Sequence, residues 1–130
     1  MREIKFRAWD KDKKEMFEVG ALTFNDEKLG IAVDDEDWKI RPHSEPMQFT
    51  GLKDKNGKEI FEGDILSILW IEEDQYEVGD VQWWDAGFRF VTDCEAHDPF
   101  HISDLWVDDK VLQIEIIGNI YENPELLEEK

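Results

Sequence analysis

The chain has 130 residues, of which 41% are hydrophobic and 12% aromatic, which is enough apolar material for one packed domain. Its charged fraction of 37% therefore does not indicate intrinsic disorder. No apolar run approaches the ~20 residues of a membrane-spanning helix, and the alternating start Met1–Phe6 does not have the pattern of a signal peptide. Because the single cysteine, Cys94, can form no internal disulfide, we expect a cytoplasmic protein without membrane contact.

The charge is strongly negative and unevenly distributed. The net charge is −18; residues 1–65 carry 12 basic and 16 acidic side chains, whereas residues 66–130 carry 3 basic and 17 acidic ones. Such a field repels nucleic acid and anionic lipid, since binding to either requires cations. The charge therefore either keeps the protein soluble or faces a basic partner.

The N-terminal part predicts β-hairpins. Apolar residues alternate with polar ones at Ile4, Phe6 and Ala8, the run breaks at 10–14, and apolar residues return over 16–19. A second pair of strands is predicted around 21–24 and 29–33. Residues 34–46, with four consecutive acids and two prolines, are typical of a loop.

The middle of the chain gives sharper signals. The segments 47–52 and 58–61 flank Asn56-Gly57, which predicts a hairpin. Residues 65–71 are apolar on both faces, as in a central strand. Tyr76 and Val78 differ in parity from Val81 and Trp83, and this predicts a β-bulge at Gly79.

If Gly79 forms a bulge, Trp83 points inward with Val81, and Trp84 lies on the opposite face. The hairpin around 85–87 and a last strand over 112–116 complete the pattern, and Asn123-Pro124 predicts one short helical turn.

These short strands and tight turns predict a mainly β protein with very little helix. We expect N-terminal β-hairpins over 1–46, packed on a small, strongly bent, SH3-like β-barrel over 47–121, and a C-terminal tail over 122–130.

Only one segment resembles a ligand set. Cys94, His97 and His101 have the residue types that bind zinc, but no second cysteine completes a pair of knuckles. Acidic neighbours would also raise the pKa of the thiol, which disfavours a nucleophile. We therefore predict no metal, no cofactor and no catalytic residue.

Exposed tryptophan beside acidic residues is typical of a recognition surface. The candidates are Trp84 and Trp9 together with Glu72, Glu73 and Asp74. The alternative is that the indole rings only cover the core.

Three stretches resemble the YopX family. They are the opening residues 2–10, the segment 47–65 (MQFTGLKDKNGKEIFEGDI) and the segment 115–127 (EIIGNIYENPELL). The resemblance implies a protein encoded by phages and prophages of Gram-positive bacteria, in a family with no established activity or catalytic residues. Folding alone can explain these motifs. Turns account for Gly51, Asn56-Gly57 and Gly63, and packing in the core accounts for Ile60, Ile65 and Ile117.

The resulting functional hypothesis is a non-enzymatic accessory protein that binds another protein inside the bacterial host. An acidic mimic of nucleic acid that blocks a host DNA-binding protein is the alternative, followed by a metal-dependent enzyme. The sequence leaves homo-oligomerisation open and argues against direct binding of nucleic acid.

Overall fold

The protein is described by a computed structural model for residues 4–23, 31–41, 43–84, 87–92, 100–101 and 112–127. Within these ranges the chain forms strands and one short 3₁₀ helix at Pro124–Leu127. The strands are β1 (Phe6–Asp10), β2 (Glu15–Thr23), β3 (Ile31–Asp34), β4 (Ile40–Arg41), β5 (Ser44–Lys53), β6 (Glu59–Phe61), β7 (Asp64–Trp70), β8 (Gln75–Trp84), β9 (Gly87–Thr92), β10 (Phe100–His101) and β11 (Leu112–Asn119).

The strands form two sheets. One has the order β4-β3-β2-β1-β5-β6, and the other has the order β10-β9-β8-β7-β11. The predicted mainly β class with very little helix is confirmed. Residues 47–121 do not close into one barrel in the described ranges, because β5 and β6 extend the first sheet whereas β7 to β11 form the second.

The chain divides into two compact units, Met1–Phe49 and Thr50–Lys130. The predicted domain ranges 1–46, 47–121 and 122–130 stay predictions. None of the helical structure described is long and apolar enough to cross a membrane.

The first predicted hairpin is confirmed, since β1 pairs antiparallel with β2 and Ala8 lies opposite Phe17. The predicted second pair is different in one respect: β2 is a single strand that pairs with β1 and also with β3. The segment 34–46, predicted as a loop, contains β4 and the start of β5. Its acids and prolines indicated a loop, but β4 is a two-residue strand at the end of the sheet, and β5 begins at Ser44 with Pro46 within it.

The core of the C-terminal unit covers one face of the second sheet. Its buried side chains are Ile60, Leu66, Ile68, Val81, Phe88, Phe90, Leu112 and Ile114. In the central strand β7, Ile65 and Leu66 are adjacent and both 0% exposed. Since neighbouring residues of a strand point to opposite faces, the start of β7 is buried on both sides, as predicted.

The predicted bulge at Gly79 is wrong. Strand β8 pairs with β7 and with β9 in continuous register through this residue. Glycine is required there for space, since a Cβ atom would overlap the carbonyl oxygen of Val91. Tyr76 and Val78 therefore lie on the face opposite Val81, with no change of phase.

Register shifts occur instead between Val19 and Ala21 in β2 and between Ile116 and Gly118 in β11. The residue skipped in β11 is Ile117, which was predicted to be core and is 36% exposed. A bulged residue has no direct partner on the neighbouring strand, and this explains the exposure.

Asp54 links the 54–57 turn to strand β11. One oxygen of its buried carboxylate, Oδ1, accepts hydrogen bonds from the backbone N–H groups of Asn56 and Lys58, both at 2.9 Å. The other, Oδ2, accepts one from the N–H of Ile116 at 3.0 Å. Beside it, the N–H of Lys55 donates to the Ile114 carbonyl at 2.8 Å, so the turn covers this part of the edge of β11.

Candidate functional site

The segment predicted as the ligand-like candidate is largely outside the described residues. Cys94 and His97 lie outside them, and only the backbone of His101 is described, in β10. No group of three or more His, Cys, Asp or Glu side chains in the described ranges could hold a metal ion. The expected absence of a metal or cofactor stays a prediction.

A cluster of charges lies inside the N-terminal unit, around Arg41. One guanidinium nitrogen donates to Asp10 at 2.9 Å and to Glu15 at 2.8 Å, and the other donates to Asp34. The side chains of Arg41, Asp10 and Asp34 are 10%, 6% and 7% exposed, and Glu15 is half exposed. The guanidinium carbon also lies 4.8 Å from the centre of the Phe17 ring, a cation–π geometry.

Hydrogen bonds keep the two buried carboxylates of this cluster ionised. The Arg41 guanidinium and the backbone N–H groups of Lys13 and Asp12 hold the pKa of Asp10 below its usual range, against the opposing effect of burial. The backbone N–H of Glu36, followed by Arg41, lowers the pKa of Asp34 in the same way. Hydrogen bonds to the carboxylates of Glu15, Asp10 and Asp34 in turn raise the pKa of Arg41.

The Arg41 cluster has a structural role. Asp10 accepts N–H groups of the β1–β2 turn, Asp34 accepts one from the β3–β4 turn, and Arg41 bridges the two carboxylates. Both terminal nitrogens of the guanidinium donate to protein carboxylates, and these contacts hold the two turns together. The sequence contains no signal for it, since Asp10 and Arg41 are 31 residues apart.

The β7–β8 hairpin exposes an apolar surface, which we name the Tyr76 face and define as Leu69, Ile71, Tyr76 and Val78. Tyr76 is 68% exposed, and Ile71 and Val78 are 39% and 36% exposed. Leu69 is half-buried and lies directly opposite Tyr76 in the register. These side chains lie on hydrogen-bonded strands and the adjoining turn, so a rigid backbone holds them together.

The predicted acidic residues Glu72, Glu73 and Asp74 form the turn at the end of this face, and all three are exposed. Asp74 adopts a φ of 53°, and its N–H donates to the carbonyl of Ile71 at 3.3 Å. The face therefore combines exposed aliphatic and aromatic groups with a negatively charged rim.

The predicted tryptophans are not part of this face. Trp84 is at the opposite end of β8, eight residues or about 26 Å from Tyr76 at ~3.3 Å per residue, and its side chain is outside the description. Trp9 is half-buried in β1 of the N-terminal unit. The structure thus brings together Glu72, Glu73 and Asp74 but places Trp84 elsewhere on the strand.

The predicted burial of Trp83 is wrong, although its parity is right. It shares a face with Val81 and is paired with the core residue Phe88, but it lies next to the last pair of the hairpin and is 56% exposed. Its ring packs edge-to-face on Phe88, with 4.9 Å between centroids.

We expect Trp83→Ala to cost about 1–2 kcal/mol, because a half-exposed ring loses only part of its transfer free energy and one aromatic pair. Phe90→Ala, at a position that is 0% exposed, should cost about 3–5 kcal/mol. Urea unfolding of both variants measures the difference. Equal losses would show that Trp83 is buried in solution.

Comparison with known proteins identifies the family. The model of the family described as "YopX protein" matches residues 5–128. The chain belongs to the YopX family. No match was found among curated proteins.

Two crystal structures of YopX-like proteins have the same fold. Protein EF1440 from Enterococcus faecalis is 32% identical, with a TM-score of 0.70 over 98% of this chain and 100% of that chain. Protein yopX from Bacillus subtilis is 23% identical, with a TM-score of 0.68 over 98% of this chain and 100% of that chain. At this identity it shows the fold alone. The YopX resemblance of the sequence motifs is thus confirmed.

Proposed function

We propose that this YopX-family chain is a non-enzymatic accessory protein of a phage or prophage, acting in the cytoplasm of the bacterial host by binding another protein. The observation that carries the proposal is the Tyr76 face. In the described residues a partly apolar surface lies beside an acidic turn. The buried charges of the Arg41 cluster, by contrast, bond to one another and stabilise the fold.

The Tyr76 face has the chemistry of a protein interface. Tyrosine is enriched among the residues that contribute most to binding, since its ring offers a large contact area with few rotatable bonds. Leu69 and Val78 extend the apolar area on the neighbouring positions of β7 and β8. Nothing within the sheet requires Tyr76 to be aromatic, because its side chain is mostly in solvent.

The charge around the face favours a basic partner. Glu72, Glu73 and Asp74 border it, and residues 66–130 carry 17 acidic against 3 basic side chains. Opposite charge accelerates encounter and disfavours acidic partners, while apolar contact supplies affinity. We therefore propose that the partner contacts the Tyr76 face with apolar side chains and that basic side chains surround this contact.

Photo-crosslinking tests the proposal inside cells. A benzophenone amino acid at position 76 should capture one protein, whereas the same group at position 58, an exposed turn residue of the same unit, should not. The captured protein is then purified for calorimetric titration. We expect Tyr76→Ala to weaken binding at least tenfold and Lys58→Ala to change it less than twofold. Equal capture from both positions, or unchanged affinity of Tyr76→Ala, would contradict the proposal.

Mimicry of nucleic acid is the second candidate, supported by the charge of residues 66–130. It predicts a DNA-binding partner that duplex DNA displaces, with affinity falling steeply as salt rises. In that case Tyr76→Ala should bind like the wild type, so the same titration distinguishes the two functions.

A further inference from the structure

A second exposed apolar pair lies in the N-terminal unit, at the β3–β4 turn. Trp38 and Ile40 are each 64% exposed. The preceding residues Asp35, Glu36 and Asp37 are exposed as well. This turn is separate in sequence from the Tyr76 face and belongs to the other compact unit.

Trp38 has a backbone conformation that a bulky side chain rarely adopts, with a φ of 56°. Hydrogen bonds hold the turn in this shape: the Trp38 N–H donates to the Asp34 carbonyl at 3.0 Å, and the Asp34 N–H donates to the Lys39 carbonyl at 2.9 Å. The Asp35 N–H donates to the carbonyl of Glu18 at 2.9 Å, which fixes the turn on β2.

The fold gains little from an indole at this position. One ring atom, Cη2, would lie 3.5 Å from a Cβ atom added at Gly20 in β2, but 64% of the residue is exposed. Glycine or asparagine would adopt the same φ at lower cost. A tryptophan that is mostly in solvent and conformationally unfavourable therefore contributes something other than folding.

We propose that Trp38 and Ile40 form a second docking site, which takes an arginine- or lysine-bearing segment of a protein partner. Charge complementarity selects this occupant, since three exposed carboxylates immediately precede Trp38 in the chain and a single lysine, Lys39, follows it. An arginine side chain can stack on the indole while these carboxylates accept its hydrogen bonds. The net charge of −18 disfavours a second copy of this chain.

The site is independent of the Tyr76 face, so either can fail without the other. The probe is a synthetic peptide of alternating arginine and leucine, and its matched control replaces each arginine by citrulline, which is similar in shape and neutral. Both are titrated into the full ¹⁵N-labelled chain, and the indole N–H resonance of Trp38 is identified from its loss in Trp38→Gly.

We expect a saturable shift of the Trp38 indole resonance with the arginine peptide and none with the citrulline peptide. Trp38→Gly should weaken binding at least tenfold and Trp38→Phe less than this, while Lys58→Ala, at an exposed residue of the other unit, should bind as the wild type does. Thermal unfolding should show Trp38→Gly at least as stable as the wild type, since glycine relieves the backbone strain.

Three outcomes would overturn the inference. One is equal binding of the arginine peptide to Trp38→Gly and the wild type. Another is a Trp38-dependent dimer in sedimentation, which would make a second copy the occupant. The third is a melting temperature of Trp38→Gly well below that of the wild type, which would give the indole a folding role.

Discussion

Replacing Arg41 by methionine should destabilise the N-terminal unit by about 3–5 kcal/mol at neutral pH, the range typical of removing one partner from a buried ion pair. The substitution leaves the carboxylates of Asp10 and Asp34 buried without their cation. Urea unfolding measures the loss. Lys11→Met is the matched control, because Lys11 pairs with Glu45 at 2.6 Å while both side chains are about half exposed, and it should cost less than about 1 kcal/mol.

The loss in Arg41→Met should depend on pH. In the wild type the pKa values of Asp10 and Asp34 are lowered, so their contribution to stability is present above the unfolded value of ~3.9 and is lost as pH falls through the folded values. Without Arg41 these groups protonate more readily, and the difference between variant and wild type should shrink at pH 3. A difference that stays constant between pH 7 and pH 3 would show that the ion pairs contribute nothing.

Asp54→Ala should destabilise the C-terminal unit by about 3 kcal/mol or more. The change leaves three backbone N–H groups, those of Asn56, Lys58 and Ile116, without their acceptor, and hydrogen bonds to a charged group contribute about 1.5–3 kcal/mol each. Asp54→Asn should cost less, since its one oxygen can still accept the two turn N–H groups and only the Ile116 N–H loses its acceptor.

Asp37→Ala provides the control for Asp54. Asp37 also accepts a backbone hydrogen bond in a turn, from Lys39 at 3.1 Å, but at an exposed site where water replaces the lost acceptor. We expect a change below about 1 kcal/mol. Both alanine variants are compared by denaturant unfolding. Similar midpoints for Asp54→Ala and Asp37→Ala would contradict the role assigned to Asp54.

Alternation and turn chemistry predicted most of the strands. The hairpin at Asn56-Gly57 and the central strand that begins with Ile65 and Leu66 follow from local residues, so the sequence was sufficient. Alternation did not predict how far along a strand the side chains remain buried. Trp83 has the parity of a core residue but lies next to the end of its hairpin, and alternation carries no information on where the core stops.

The candidate surface was only half predicted. Glu72, Glu73 and Asp74 were named as surface candidates from their charge, and they lie in an exposed turn. Tyr76 and Val78 were not among the candidates, because the bulge predicted at Gly79 would have brought them to the face of Val81. Continuous register places both outside. The Arg41 cluster could not be predicted, because Asp10, Asp34 and Arg41 meet only after β1 to β4 have paired.

The central claim is that the chain works by binding a protein through the Tyr76 face. The most direct measurement is a methyl NMR titration of the isotope-labelled full chain with the purified partner captured from position 76. We predict that the methyl resonances of Leu69, Ile71 and Val78 shift together and saturate at one equivalent, while those of the buried Ile60 and Ile68 stay in place. Saturable binding with no shift at Leu69, Ile71 and Val78 would contradict the claim.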